Sequence, residues 1–228
     1  MSHEPVDIVF AGQRLRLLPS GAIYHANSQT LWVADVHLGK AATYRRLGQP
    51  VPKGTTTENL RRLSDDLARH EVSHLVVLGD FLHGPQVQQA PSTLMAIKAW
   101  RQAHARCQIT LIRGNHDHRA GDPPEDFEIN VVNQPHITAG LAGWHDIETS
   151  QVTKGQGVLF GHTHPVVVLR GGAREQLRLP CFVVSASTLN LPAYGAFTGG
   201  HQHRPRAGET IYVLADQAVI RLPTPSST

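Results

Sequence analysis

The chain has 228 residues, 40% of them hydrophobic and 17% charged, which supplies a packed core and is too little charge for disorder. A net charge of +3 permits a nucleic-acid partner without demanding one, since dedicated duplex binders carry a stronger basic face. Met1-Ser2-His3-Glu4-Pro5 is no basic-then-apolar leader and no run reaches membrane-span length, so a soluble, cytoplasmic protein with no membrane partner is expected.

Short stretches at residues 7–10, 13–18, 22–25 and 30–34 predict four strands, with Gly12 and Pro19-Ser20-Gly21 at turns. Thr55 followed by Glu58 reads as a capping box, and Leu60, Leu63 and Leu67 give the helix after it one apolar face. A strand at 75–78, a helix at 92–103 and a strand at 109–112 follow. That alternation predicts a layered α/β sheet. Beyond residue 127 the pattern turns to strands at 127–132, 157–160, 166–170 and 177–184, then a hairpin over 211–222. No repeat or long linker divides the chain, so residues 1–222 are expected to form one domain and 223–228 a frayed tail. Cys107 and Cys181 lie far apart in apolar stretches and read as buried free thiols. Trp32 and Trp100 fall on apolar faces and are expected in the core.

Four short motifs each follow an apolar strand: Ala34-Asp35-Val36-His37, Gly79-Asp80, Gly114-Asn115-His116-Asp117 and Gly161-His162-Thr163-His164. In open α/β sheets, ligands gather at the carboxyl ends of strands. Residues i and i+2 of an extended segment project to one side, so Asp35 with His37, and His162 with His164, are expected to aim two ligands at one region. The donors are carboxylate, amide oxygen and imidazole without thiolate, a set that suits manganese, iron or zinc better than calcium or copper(I). Two-metal sites hold their ions roughly 3.5–4 Å apart and commonly share a carboxylate. Asp80, alone on its loop, is the natural bridge.

In this order the four motifs resemble those of the calcineurin-like metallophosphoesterases. The resemblance implies a four-layer α-β-β-α sandwich of the α/β class. It also implies two divalent cations: Asp35, His37 and His164 on one, Asn115 and His162 on the other, and Asp80 between them. One more histidine is implied upstream of Gly161. His145, in Gly143-Trp144-His145-Asp146, is preferred to His136 because it follows strand-like residues 137–141, whereas His136 precedes them beside a proline. Here the chain reads Trp-His-Asp-Ile where relatives more often show His-Glu-Pro.

Asp35-Val36-His37-Leu38-Gly39-Lys40, Leu179-Pro180-Cys181-Phe182 and the segment from Leu191-Pro192-Ala193-Tyr194 to Gly199-Gly200 also resemble the bacterial ligase-associated DNA damage response endonucleases. That narrower resemblance implies manganese-dependent cleavage of single-stranded DNA, in a repair cluster with a DNA ligase, a helicase and a nuclease. Hydroxide generated between the cations would be the nucleophile. His116 would be the general acid, with Asp117 hydrogen-bonded to its ring. Arg113, Lys40, Arg45 and Arg46 are candidate substrate contacts, each weighed against a plain surface role, and residues 191–200 are a candidate wall of the substrate groove. His118, His201 and His203 read as surface residues. A small-molecule phosphoesterase or nucleotide pyrophosphatase with the same dinuclear core is the alternative enzyme. A non-catalytic binding module is disfavoured, because His116 and every ligand are present.

Overall fold

A strand that is apolar at consecutive positions needs cover on both faces, and this requirement organises the molecule. The computed structural model describes residues 4–49, 51, 54–147, 155–172 and 175–223. Strands β1 (Val6–Phe10), β2 (Gln13–Leu17), β3 (Ile23–His25) and β4 (Thr30–Val33) form an antiparallel meander. From β4 the pairing turns parallel, through β5 (His74–Leu78) and β6 (Gln108–Ile112) to β7 (Asn130–Val132), completing a seven-stranded sheet in chain order. Helices α1 (Lys40–Arg46) and α2 (Thr55–Arg69), then α3 (Pro91–Ala103), then α4 (Asn115–Ala120) occupy the three parallel crossovers.

Alternation along the strands sorts the core into two layers. Leu31 and Val33, Leu75 and Val77, and Ile109 and Leu111 face Leu60, Leu63 and Leu67 of α2 and Ile97 and Trp100 of α3. Trp32, Val76, Leu78 and Ile112 turn the other way, onto Leu141, Leu159, Phe182, Leu189 and Tyr212 of a second sheet. That sheet contains β8 (His136–Thr138), β9 (Leu141–Trp144), β10 (Gly157–Phe160), β11 (Pro165–Arg170), β12 (Gln176–Val184), β13 (Thr188–Asn190), β14 (His201–Gln202), β15 (Thr210–Ala215) and β16 (Ala218–Arg221). Its centre is parallel, with β10 between β9 and β13. The long β12 pairs with β11 over its first half and with β13 and β15 over its second.

The expected α/β class, with two sheets face to face, is what forms. The four α-helices among the described residues lie in the parallel crossovers of the first sheet. Other local expectations need correction. Residues 127–132 are not one strand: Glu125–Phe127 is a 3-10 turn that buries Phe127, and Glu128 takes a φ of 50° before β7 begins. The stretch 137–141 is split between β8 and β9 by a turn at Ala139 and Gly140, both at positive φ. The capping box at Thr55 does not form. Gly54 caps α2, and Glu58 instead pairs with Arg61 at 2.8 Å. Cys107 and Cys181 are buried and free, and Trp32 and Trp100 are in the core. The proposed tail lies outside the described residues from 224 onward.

Leu63 is fully buried between α2 and the sheet. Leu63→Ala is expected to lower unfolding free energy by about 2–5 kcal/mol, measured by urea denaturation at constant m-value.

Candidate metal centre

Five parallel strands from the two sheets end at one edge. β4 runs into Asp35 and His37, β5 into Asp80, β6 into Asn115 and His116, β9 into His145, and β10 into His162 and His164. The side chains meet there in two groups, Asp35 with His37 and His164, and Asp80 with His145 and His162, whose ligand atoms lie within 4.8 Å of one another in each group. Asp80 joins them. Its Oδ2 is 3.8 Å from His37 Nε2, and its Oδ1 is 3.5 Å from His145 Nε2. Asn115 Oδ1 lies 2.9 Å from His145 Nε2, on the side of the second group.

The donors suit divalent cations. Asp35 is fully buried, yet its Oδ1 accepts no hydrogen bond among the described residues, although His164 Nε2 stands 3.3 Å away. A buried carboxylate oxygen without a donor is costly, and a cation bound there would satisfy it. His145 Nδ1 donates to the Leu78 carbonyl at 3.0 Å, which leaves the Nε2 lone pair facing the group. Burial holds His37 far below the usual histidine range, in the neutral form that ligates. Burial also pushes the Asp80 carboxyl up, a penalty that a bound cation would reverse.

Convergence does not come from extended backbone. Asp35, His37, Asp80, His162 and His164 all have φ between 46° and 68°, the left-handed region. Each such residue costs roughly 1–2 kcal/mol, and strain of this kind concentrates at functional sites. The i, i+2 expectation therefore holds for proximity at Asp35 and His37, but through a reversed backbone. His162 and His164 go to different groups. Backbone N–H groups then aim the carboxylates. His162 N–H donates to Asp35 Oδ2 at 2.8 Å, and His116 N–H donates to Asp80 Oδ1 at 2.8 Å. Two motif glycines clear the space: a Cβ on Gly79 would collide with the His145 ring, and one on Gly114 with the Asp80 carboxylate.

His116 stands beside both groups, with Nε2 3.9 Å from Asp80 Oδ2. Its expected partnership with Asp117 does not form. His116 Nδ1 donates to the His83 carbonyl at 2.6 Å. The fully buried Asp117 instead accepts from Leu82 N–H and Gly114 N–H, both at 3.0 Å, tying the second motif loop to the third. The reason is helical: Gly114 caps α4, and Asp117 in its first turn faces the loop ends. His83 went unnoticed in the sequence. Its ring stacks on His116 with centroids 4.8 Å apart, its Nδ1 is 3.4 Å from His37 Nδ1, and burial with the Lys40 charge pushes it down to about 4. Its only signal was a position three residues after Asp80. His37, His83 and His116 form a third convergent group.

The basic candidates separate. Lys40 is half-buried near the centre, where burial lowers its pKa against the pull of Asp35 and Asp80, and Nζ donates to the Thr198 carbonyl at 3.1 Å. Arg45 and Arg46 occupy the last turn of α1, and Arg46 reaches the Gln89 carbonyl at 3.4 Å. Arg113 is committed elsewhere, to both oxygens of Asp122 at 2.8 and 2.6 Å and to Asn133 at 2.8 Å. His118 and His201 are exposed, and His203 is bound to Glu209 at 2.7 Å. Among the described residues no helix is long and apolar enough to cross a membrane.

Residues 29–177 match the family model for calcineurin-like phosphoesterases. The crystal structure of nuclease MPE from Pseudomonas putida is similar, at 41% identity and a TM-score of 0.83 over 96% of this chain and 100% of that one. A phosphoesterase from E. coli, Yfce, matches at 16% identity and a TM-score of 0.45, over 85% of this chain and 97% of that one. No curated protein matches the chain.

Burial pushes the Asp117 carboxyl up to about 7, against the N–H groups of Gly114 and Leu82. A raised carboxyl pKa means that the folded state holds the proton more tightly, so its contribution is present at low pH and lost as pH rises to about 7. Asp117→Asn removes that dependence. In chelator-treated protein, the stability difference should shift toward the variant as pH rises through this window and be constant above it, followed by denaturant melts.

Proposed function

Because the chain belongs to the calcineurin-like phosphoesterase family, we propose that it is an endonuclease that hydrolyses phosphodiester bonds of single-stranded DNA with two manganese ions. One observation carries the reading: the Asp80 carboxylate turns one oxygen to each of two ligand groups, and His116 Nε2 stands 3.9 Å from it. Asp35, His37 and His164 would hold one cation, Asn115, His145 and His162 the other, with Asp80 shared. Two cations so held supply an activated water at neutral pH and neutralise phosphate charge. Manganese suits this oxygen and imidazole set, and iron or zinc are the alternatives.

The chain's own groups do the rest. His116 delivers a proton from Nε2 to the leaving oxygen, as general acid. The His83 carbonyl fixes Nδ1–H, and His83 and Tyr44 stack in series beside the acid. Asp117 is a positioning residue, because it holds the second and third motif loops together. Lys40 supplies positive charge beside the phosphate, whereas Arg113 is held by Asp122 and drops out as a substrate contact.

Shape favours a polymer over a mononucleotide. Two clefts share Pro165, at the end of the His162–His164 loop, as a lining residue. One, of about 360 Å³, touches His164, Pro165 and Phe197; the other, of about 450 Å³, touches Asp146, Thr163, Pro165 and His201. Under the proposed reading, such neighbouring clefts would take the arms of a strand that continues past the reacting phosphate. The similarity to a protein described as a nuclease supports the same choice. Under this reading the protein works in the cytoplasm beside a DNA ligase, a helicase and a nuclease of a repair cluster.

Manganese-dependent cutting of circular single-stranded DNA, run beside a nucleotide panel, tests the proposal. Rapid nucleotide hydrolysis with DNA untouched would select the small-molecule alternative. His116→Ala should lose about 10²–10⁴-fold in kcat with metal content retained, whereas Asp80→Ala should lose both ions by elemental analysis. Full turnover in His116→Ala would sink the acid assignment.

A further inference from the structure

The segment 191–200 leaves the carboxyl end of β13 and lies against the first motif. Tyr194 N–H donates to the Ala34 carbonyl at 2.8 Å and Gly195 N–H to the Asp35 carbonyl at 3.0 Å. Ala196 N–H donates to Asn59 Oδ1 at 2.9 Å, and the Thr198 hydroxyl to the Gly195 carbonyl at 3.0 Å. Lys40 closes the far side through the Thr198 carbonyl. Phe197 sits inside this fastened stretch. Among the six Phe, four Tyr and three Trp residues, it is the one that is exposed, at 51%.

Its backbone is costly as well. Phe197 has a φ of 67°, where the Cβ crowds the following carbonyl and a bulky residue is an outlier. A chain free to choose would place glycine there and an aromatic ring in the core. The ring instead borders the cleft of about 360 Å³ whose wall includes Pro165, Val166, Pro180, Ala196 and the metal-group residue His164. That volume lies within the range of small-ligand clefts, roughly 300–1,000 Å³. The apolar wall therefore adjoins the cation site through His164, and Lys40 is tied to the same segment at the Thr198 carbonyl.

Resting on the single-strand reading above, we infer that Phe197 is a stacking platform for one nucleobase flanking the phosphate that is cut. Every base has a π-face, so the contact holds a strand without reading its sequence. It requires an unpaired base, since a duplex offers no free face to a ring at this position. Phe197 thereby contributes to the preference for single strands.

Phe197→Gly tests this without endangering the fold, because glycine adopts a φ of 67° freely, and Phe197→Trp restores a ring. The probes are a dye-labelled oligothymidylate, followed by anisotropy on metal-free protein, and the same strand cut with manganese present. Kd and KM are expected to rise about five- to a hundredfold in Phe197→Gly and to recover in Phe197→Trp. The factor should collapse toward one on a strand of abasic nucleotides. Unchanged affinity, or an equal loss on the abasic strand, overturns the platform and leaves the endonuclease reading standing. A wild-type protein that neither binds nor cuts single strands while hydrolysing nucleotides overturns both.

Discussion

Two carboxylates that are almost completely buried, Asp35 and Asp80, lie among imidazoles at one edge of two packed sheets, and much of the molecule is arranged around them. Negative charge in so dry a place is tolerated only when it is paired or neutralised. Protein groups go part of the way. His162 N–H holds one oxygen of Asp35, and His116 N–H holds one of Asp80. Each carboxylate is thus aimed by a motif distant in the chain, so the loops are interlocked. What the protein leaves uncompensated, above all Asp35 Oδ1, is the face offered to a cation.

That arrangement explains features that are otherwise expensive. Left-handed backbone at five residues of the two groups turns the side chains inward within short loops. Glycine at 79 and 114 lets a ring and a carboxylate approach backbone at distances no Cβ permits. Asp117 extends the same logic. Buried and near neutrality in its titration, it ties Leu82 to Gly114 and so sets the distance between the loop of Asp80 and that of Asn115. His116 is held separately, by the His83 backbone carbonyl, and a carbonyl cannot be lost by substitution.

The two-sheet frame supplies the rigidity that such strain requires. β4, β5 and β6 are covered by helices on one face and by the second sheet on the other, so their carboxyl ends are fixed against each other. β9 and β10 bring His145, His162 and His164 from the opposing sheet. The segment after β13 then clamps the rim, joining Ala34, Asp35, Asn59 and Lys40, and presents Phe197 at the border of the cleft.

Much of this was legible in the amino-acid order. Alternating or continuous apolar runs announced the strands of the first sheet and the face of α2, because burial on one or two sides leaves a periodic trace. The ligand types and their position after strands announced the cation chemistry, since carboxylate, amide and imidazole in that order have few other uses. Tertiary structure decided the rest. No periodicity encodes a left-handed aspartate, and the division of His162 and His164 between two groups was implied by the family resemblance, not by their two-residue spacing. Asp117 beside His116 suggested a bond between neighbours, but the helix starting at Asn115 turns the carboxylate to Leu82 and Gly114. His83 had only its nearness to Asp80 to mark it, and Phe197 only its place within residues 191–200. Their roles come from which rings and loops the folded chain sets side by side, and that is a property of packing rather than of order along the chain.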